Sequence, residues 1–262
     1  MRRLGLVAIA IALIVYAALC GALYVAQRSL IYFPTRESRS SRAEALSIEA
    51  DGAVLKVWRV HATGDGALIY FGGNAEDVAA NIAPFQAAFP STAIYLVNYR
   101  GYGGSTGSPS ERALNADAEL VFDRVRSEHA RVAVIGRSLG SGVAVHLASV
   151  RDVSRLALVT PFDSVLRVAQ RALPFVPVSW LLEDTFDSLA KAPRVRAPVL
   201  VLLAELDRVV PRAHSERLIA AFAPGQVEVS TIAGTNHDSI SDAAEYGRAL
   251  AEFLSSSAAA RG

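Results

Sequence analysis

The sequence predicts an α/β protein built on a mostly parallel sheet with helices on both faces. Short apolar runs alternate with segments of helical spacing along most of the 262 residues, which is typical of strands joined by crossover helices. The runs are also apolar at consecutive positions, as in "ALIYF" and "VLVLL", and strands covered on both faces have this composition. We therefore expect one α/β domain over residues 46–256, with eight strands.

An apolar segment precedes this domain. Leu4 to Ala26 contains no charged residue and is long enough to cross a hydrocarbon core of roughly 30 Å as a helix. We interpret residues 1–27 as an uncleaved single-pass transmembrane anchor and residues 28–45 as a connector. A cleaved secretory signal is the alternative, although such signals have apolar regions of only about 7 to 15 residues. Lipidation at Cys20 is another, but Leu19 stands where a small residue is expected.

Arginine residues flank the apolar segment on both sides. They are Arg2 and Arg3 before it, and Arg28, Arg36, Arg39 and Arg42 after it. This distribution leaves the orientation in the membrane open; we expect the domain to lie on the extracytoplasmic side.

The first half of the domain is predicted to open with an antiparallel hairpin. Asp51-Gly52 is a favourable two-residue turn between two apolar runs. Two further strands, near 67–73 and 92–99, flank a helix in which Pro84 delays the start or introduces a kink. A glycine-rich loop follows at 101–107, and Ser110 is placed to cap a helix that extends to about residue 129.

The second half continues the alternation of strands and helices. Strands are predicted near 131–136, 155–160, 198–207 and 226–232, and helices near 139–150, 212–222 and 241–257. The irregular part, 161–198, contains an apolar run broken by prolines, and we interpret residues 164–191 as a lid over a pocket. A long crossover packed on the core is the alternative. The tail, 257–262, is predicted to be disordered.

A serine lies on the turn between one strand and the next helix. Gly136 to Gly140, "GRSLG", matches G-x-S-x-G in the strand–turn–helix context that this motif requires. The turn is so sharp that its flanking positions have little room for a Cβ atom. Ser138 is therefore a candidate nucleophile, and the N–H of Leu139, at the start of a helix, is a candidate oxyanion donor.

A serine hydroxyl needs a base, and the base needs an acid to orient it. Enzymes with this turn carry the acid and then the histidine later in the chain. Asp207 ends one predicted strand and His237 follows the next, so we assign them as acid and base. Asp163 also follows a strand and remains an alternative acid. The other histidines are expected to have structural roles; they are His61, His129, His146 and His214.

The second oxyanion donor is expected from the loop after the strand at 67–73. Gly72 and Gly73 allow the backbone to turn its amides towards a ligand, and the N–H of Asn74 is the candidate. A plain strand-to-helix turn is the alternative. We expect Gly73, Tyr102 and Phe162 to contact substrate, and the loop at 101–107 to form a flexible rim of the pocket.

Several other kinds of function are disfavoured. The net charge of +1 and the absence of a basic stripe argue against a nucleic-acid partner. Cys20 is the only cysteine, which excludes a thiol nucleophile, a disulfide or a zinc–thiolate site in the domain. The loop at 101–107 reads G-x-G-x-x-x-G, which departs from the dinucleotide-binding pattern. We expect neither a metal nor an organic cofactor.

Six segments together resemble one protein family. They are "YFGGNAED", "NYRGYGGSTGSPSE", "GRSLGSGVA", "TPFDS", "DRVVPRAHS" and "GTNHD". The sequence is similar to the serine α/β-hydrolase superfamily, and within it to the membrane-anchored α/β-hydrolase-domain-containing proteins of types 13 and 17. The resemblance covers nearly the whole chain. It departs at Gly72, where a histidine is usual, and at Leu203-Ala204, where many relatives have histidine-glycine.

The resemblance implies an α/β-hydrolase fold with a short lid and a triad of Ser138, Asp207 and His237. It also implies hydrolysis of carboxylic esters or thioesters of small or acyl-chain substrates, with no cofactor. Two other functions remain open: a serine peptidase or amidase of the same fold, and a non-catalytic membrane-tethered interaction protein.

Overall fold

The computed structural model describes residues 2–61 and 64–255. Residue 256, predicted as the end of the domain, and the tail 257–262 lie outside the described residues. The strands are β1 Glu44–Ala50, β2 Ala53–Val60, β3 Gly66–Phe71, β4 Ala93–Val97, β5 Arg131–Arg137, β6 Leu156–Val159, β7 Val199–Ala204 and β8 Val227–Ile232. The α-helices are α1 Arg2–Ile31, α2 Ile82–Ala88, α3 Glu111–Glu128, α4 Leu139–Val150, α5 Val165–Ala172, α6 Val178–Leu181, α7 Ser188–Lys191, α8 Arg212–Ile219 and α9 Ala244–Ser255.

The eight strands form one sheet in the order β1-β2-β4-β3-β5-β6-β7-β8. β2 pairs antiparallel with β1 and β4, and every other pairing is parallel. The predicted eight-stranded, mostly parallel sheet is therefore confirmed, as is the hairpin, whose turn has Gly52 at φ 71°.

The central strands are buried on both faces, as their continuous apolar composition predicts. In β3, Ile69 and Phe71 pack in the core on one side of the sheet, while Leu68 and Tyr70 pack in the core on the other. Parallel strands covered in this way bring their carboxyl ends to one edge of the sheet, where loops are free to carry functional side chains.

The N-terminal helix is longer than the predicted anchor. α1 continues to Ile31, four residues beyond position 27, and the chain leaves the helix just before Pro34, which restricts the residue that precedes it. Its most apolar stretch is not buried against the rest of the protein, and it is long and apolar enough to cross a membrane. The connector is correspondingly shorter, since β1 already begins at Glu44.

The turn between β5 and α4 depends on close backbone contacts. Ser138 occupies it with φ 48° and ψ −115°, a conformation that is strained for a residue with a side chain. A Cβ atom on Gly140 would overlap the carbonyl oxygen of Phe71, and one on Gly136 would overlap the carbonyl oxygen of Gly140. The two glycines of the motif therefore allow β5, α4 and the end of β3 to meet.

We expect Gly140→Ala to destabilise the fold by about 1–3 kcal/mol, because the added methyl group overpacks a site closed by backbone atoms. Thermal unfolding of the full chain in detergent measures the effect. Gly247→Ala is the matched control, since a Cβ there meets no atom within 4 Å; in helix α9 it should leave stability unchanged or raise it by up to about 1 kcal/mol. Equal melting temperatures for the two variants would contradict this account of the turn.

Candidate active site

Three of the predicted side chains form a continuous chain of hydrogen bonds at the carboxyl edge of the sheet. His237 Nε2 lies 2.8 Å from Ser138 Oγ, and His237 Nδ1 lies 2.8 Å from Asp207 Oδ2. The other carboxylate oxygen of Asp207 accepts the backbone N–H groups of Val209 and Val210 at 2.9 and 2.8 Å. These bonds fix the carboxylate, which in turn orients the imidazole towards the serine.

The alternative acid, Asp163, is engaged elsewhere. Its side chain is fully buried, with one oxygen 2.7 Å from His214 Nδ1 and the other accepting Arg217 Nε at 2.6 Å. The backbone N–H of Ser164 also donates to it. The structure therefore brings Asp207 to His237 and uses Asp163 to fasten α8 to the end of β6.

The remaining histidines also contact groups outside this site. His61 Nε2 lies 2.8 Å from Glu44, His129 Nε2 lies 2.9 Å from the Tyr95 hydroxyl, and His146 Nε2 lies 2.9 Å from Glu119. Their neighbours agree with the structural roles expected for them.

Leu139 and Asn74 line the same cavity as Ser138. The N–H of Leu139 is the first of α4, so it has no acceptor within the helix and is free to meet a ligand. The side chain of Asn74 serves another purpose. Its Oδ1 accepts the N–H of Phe33 at 3.0 Å and its Nδ2 donates to the carbonyl of Ile31 at 2.6 Å, which ties this loop to the end of α1.

The substrate-contact residues predicted from sequence occupy three different environments. Phe162 lines the cavity. Gly73 lies beside the serine, since a Cβ on it would be 3.6 Å from the Cβ of Ser138. Tyr102 is buried behind Asn74, to whose Oδ1 its hydroxyl donates at 2.8 Å. Burial raises the pKa of Tyr102 to about 12, so it remains a neutral donor at physiological pH.

The expectation that the loop at 101–107 forms a rim of the pocket is wrong, because none of its residues lines the cavity beside Ser138. The N–H of Thr106 donates to the carbonyl of Val54, and the hydroxyl of Ser105 accepts the N–H of Lys56. The loop thus completes hydrogen bonds of β2 that β4 is too short to reach, and this pairing holds it against the sheet.

A partly buried ion pair links the two sides of the site, and sequence reasoning missed it. Glu76 accepts the N–H of Gly73 at 2.5 Å and lies 3.5 Å from Arg137. Arg137 also donates to the carbonyl oxygens of His237 and Asp238, at 3.3 and 3.0 Å. The only available sequence signal was that Arg137 is the second residue of the G-x-S-x-G motif.

At this pair, attraction between the opposite charges outweighs the effect of burial on the Arg137 guanidinium. Although burial of the Arg137 guanidinium disfavours its charge, the nearby Glu76 carboxylate raises its pKa above the ordinary value. Burial, followed by Glu76, raises the pKa of Tyr70 well above its usual range, so its hydroxyl continues to donate to Glu76 at 2.6 Å. The Arg137 guanidinium therefore keeps its positive charge, and its contacts with Glu76, His237 and Asp238 hold the Gly73 and His237 loops together.

An apolar cavity of about 380 Å³ opens beside Ser138. Side chains of the predicted lid line it, including those of Val165, Val168, Val176 and Leu181. The segment thus forms one wall of the cavity. The volume lies within the range of small-molecule sites, about 300–1,000 Å³.

The end of α1 forms another wall of the cavity. Leu23, Gln27, Leu30 and Ile31 line it. The buried side chain of Gln27 accepts the N–H of Glu183 at 2.8 Å and donates to the carbonyl of Leu181 at 3.2 Å. The helix predicted only as an anchor is therefore part of the site. Among residues 2–61 and 64–255, no group of three or more His, Cys, Asp or Glu side chains is arranged to hold a metal ion.

The chain has relatives in bacteria and animals. It is 34% identical over 274 residues to an uncharacterized protein of Mycobacterium tuberculosis, which covers 98% of this chain and 97% of that protein. It is 30% identical over 195 residues to mouse α/β-hydrolase domain-containing protein 17C and 33% identical over 171 residues to α/β-hydrolase domain-containing protein aho-3 of Caenorhabditis elegans. These matches cover 72% and 64% of this chain and 59% and 50% of the two animal proteins.

Solved structures share the fold at low sequence identity. An esterase from Pyrococcus furiosus, 17% identical, aligns with a TM-score of 0.67 over 86% of this chain and 98% of that one. An enol-lactonase from Burkholderia xenovorans, also 17% identical, aligns with a TM-score of 0.63 over 80% of this chain and 100% of that one. No family model matches the sequence. The motifs, the sheet order and these relatives together show that the chain belongs to the α/β-hydrolase superfamily and, within it, to the branch of α/β-hydrolase-domain-containing proteins.

Proposed function

We propose that this protein is a serine hydrolase that cleaves carboxylic ester or thioester bonds through an acyl-enzyme intermediate. One observation carries the proposal: the hydrogen-bonded chain from Ser138 through His237 to Asp207 lies at an apolar cavity large enough for an acyl chain. A nucleophile within reach of a base that is itself oriented by a carboxylate is the arrangement that acyl transfer requires.

In the first step, His237 Nε2 takes the proton of Ser138 Oγ as that oxygen attacks the acyl carbonyl carbon. The carbonyl electron pair moves onto oxygen, where the N–H groups of Leu139 and Asn74 stabilise the negative charge. The protonated imidazole then gives its proton to the departing oxygen or sulfur atom as the bond from that atom to the acyl carbon breaks. The alcohol or thiol leaves, and the acyl group remains bound to Ser138 as an ester. Asp207 holds the imidazole in place and stabilises its positive charge.

In the second step, water replaces the leaving group. His237 removes a proton from the water molecule as it attacks the acyl-serine carbonyl. Collapse of the second tetrahedral intermediate breaks the bond to Ser138 Oγ, which recovers its proton from His237, and the carboxylic acid is released.

The same proposal includes membrane anchoring through α1. The helix is long and apolar enough to span a bilayer, and its C-terminal turns contribute four residues to the cavity wall. Cleavage of α1 as a signal would remove this wall and the bonds of Gln27 to the lid. These contacts favour a retained anchor. The mostly aliphatic lining of the cavity favours the acyl part of the substrate as its occupant.

We expect Ser138→Ala to lower the rate of p-nitrophenyl ester hydrolysis by at least about 10³-fold and to abolish labelling by a fluorophosphonate, because no other hydroxyl occupies the turn. The full chain is assayed in detergent with esters from acetate to palmitate. Ser149→Ala, on the same helix α4 but bonded to the carbonyl of His146, should retain full labelling. Faster turnover of p-nitroanilides than of esters would favour a peptidase, and an unlabelled, folded protein would favour the tethered interaction protein.

Substitution of the two candidate acids, Asp207 and Asp163, should have different effects on activity and on stability. We expect Asp207→Asn to lower kcat by about 10³–10⁴-fold with little change in melting temperature, because it removes the charge that orients His237. Asp163→Asn should do the opposite: it leaves the buried His214 and the partly exposed Arg217 without their carboxylate, so it lowers stability by about 1–3 kcal/mol. Steady-state kinetics and thermal unfolding of both variants test this; a loss of kcat on Asp163→Asn in still-folded protein would reverse the assignment.

Arg137 is expected to act as a positioning residue. Arg137→Ala removes the link between the His237 loop and Glu76, and a displacement of about 1 Å at a reacting group costs up to about 10²-fold in rate. We expect the loss in kcat with KM nearly unchanged, since Arg137 does not line the cavity. Arg151→Ala is the control, because this arginine also pairs with two carboxylates, Asp123 and Glu119, away from the site. A change confined to KM would be inconsistent with positioning.

A further inference from the structure

The depth of α1 in a bilayer places part of the lid at the same depth. A hydrocarbon core of roughly 30 Å takes up about 20 helical residues, so most of the uncharged stretch Leu4 to Ala26 is needed to cross it. The Tyr16 hydroxyl donates to the carbonyl of Phe175 at 2.7 Å. Tyr16 lies ten positions before Ala26, about 15 Å along the helix axis. The segment around Phe175 therefore lies beside the part of α1 that crosses the hydrocarbon.

The composition of this segment fits that depth. Residues 172–182, "ALPFVPVSWLL", contain no charged side chain and are bounded by Arg171 and Glu183; we call them the lid tip. Phe175 and Trp180 are each 87% exposed, which is unusual for two large apolar side chains on one short segment of a soluble surface. Neither lines the cavity, so substrate binding does not explain them.

Charged groups mark the boundary of the lid tip on one side. Glu183 pairs with Arg28 at 3.3 Å, and Arg28 also lies 3.6 Å from Asp184. Arg28 is the first charged residue after the apolar stretch of α1. Thus α1 and the lid change from apolar to charged at the same level. This is expected of two elements that cross the same membrane–water interface side by side.

The backbone of the lid tip is also suited to an apolar medium, in which unsatisfied polar groups are costly. Pro174 and Pro177 have no N–H to satisfy. The N–H groups of Val176 and Trp180 donate to the carbonyls of Leu173 and Pro177. Side chains supply further bonds: besides Tyr16, Gln170 Nε2 donates to the carbonyl of Val176 at 3.2 Å.

We propose that the lid tip is embedded in the hydrocarbon of the membrane leaflet that lies around the C-terminal half of α1. The outer side chains, Phe175 and Trp180, contact lipid, while the inner ones, Val176 and Leu181 among them, line the cavity. An acyl chain then passes from the leaflet to Ser138 without crossing water. The inference rests on the proposed anchor and deepens the proposed hydrolase function, because it makes acyl chains resident in the leaflet the substrate class.

Tryptophan fluorescence tests the position of the lid tip directly. The chain has two tryptophans, and Trp58 is only 3% exposed while Trp180 is 87% exposed. The full chain is reconstituted into phosphatidylcholine vesicles whose acyl chains carry bromine, a short-range quencher. Trp58→Phe isolates Trp180, and Trp180→Phe isolates Trp58 as the matched control.

We expect bromolipids to quench most of the Trp180 emission and little of the Trp58 emission. Unquenched Trp180 that is accessible to aqueous iodide would overturn the proposal, and so would Trp180 shielded from both quenchers, which would indicate a protein partner on the lid tip. Resistance of the wild-type chain to alkaline carbonate extraction is measured in parallel. Loss of membrane attachment in that assay would refute the anchor and, with it, the embedded lid tip.

A second experiment measures the consequence for substrate delivery. In the double variant Phe175→Asp/Trp180→Asp, we expect hydrolysis of soluble p-nitrophenyl acetate to stay unchanged, while hydrolysis of a long-chain ester held in vesicles falls by about tenfold or more, given the free energy of burying two large apolar side chains. Val229→Asp, which places a charge on an exposed position of β8, should change neither activity.

Equal losses on both substrates, or no loss on the vesicle-bound ester, would contradict the proposal. Inactivity of the unaltered protein on both esters would instead refute the proposed hydrolase. The quenching measurement would still decide where the lid tip lies, so the two failures are distinguishable.

Discussion

The approach of α4 to the end of β3 is the contact on which the rest of the site depends. Because Gly140 has no Cβ, the first turn of the helix lies against the carbonyl of Phe71. At the same turn Ser138 has its positive-φ conformation, and Gly73 lies beside it. The loop that carries Asn74 consequently faces the same cavity as the first amide of α4. The close packing of α4 against β3 thus brings the Ser138 side chain, the first amide of α4 and the Asn74 loop to one cavity.

The sheet and the three hydrogen-bonded side chains were predictable because their signals are local. Continuous apolar runs identify buried strands, and parallel strands place the residues that follow them at one edge, which located Ser138, Asp207 and His237 without knowledge of any contact. Asp163 meets the same local criterion. Only its neighbours, His214 and Arg217, distinguish its structural role, and neighbours distant in sequence are not visible in a single chain.

Other features required contacts that no local pattern encodes. Glu76 and Arg137 are separated by 61 positions, and neither one by itself indicates an ion pair that joins two loops of the site. The glycines at 101–107 indicated a loop but gave no information about its partner, which is β2. In α1, apolar composition indicated a membrane segment, while the packing of Gln27 against the lid depended on residues more than 150 positions away.

The participation of α1 in the cavity wall has an evolutionary consequence. Leu23, Gln27, Leu30 and Ile31 recur at helical spacing and so occupy one face of the helix. Attachment to a membrane needs only sufficient length and apolarity, a demand that many sequences meet. The inner face needs a particular shape and one amide side chain. Substitutions should therefore accumulate freely on one side of α1 and be restricted on the other. A transmembrane segment taken from another protein would match the length and apolarity of α1 without rebuilding the cavity.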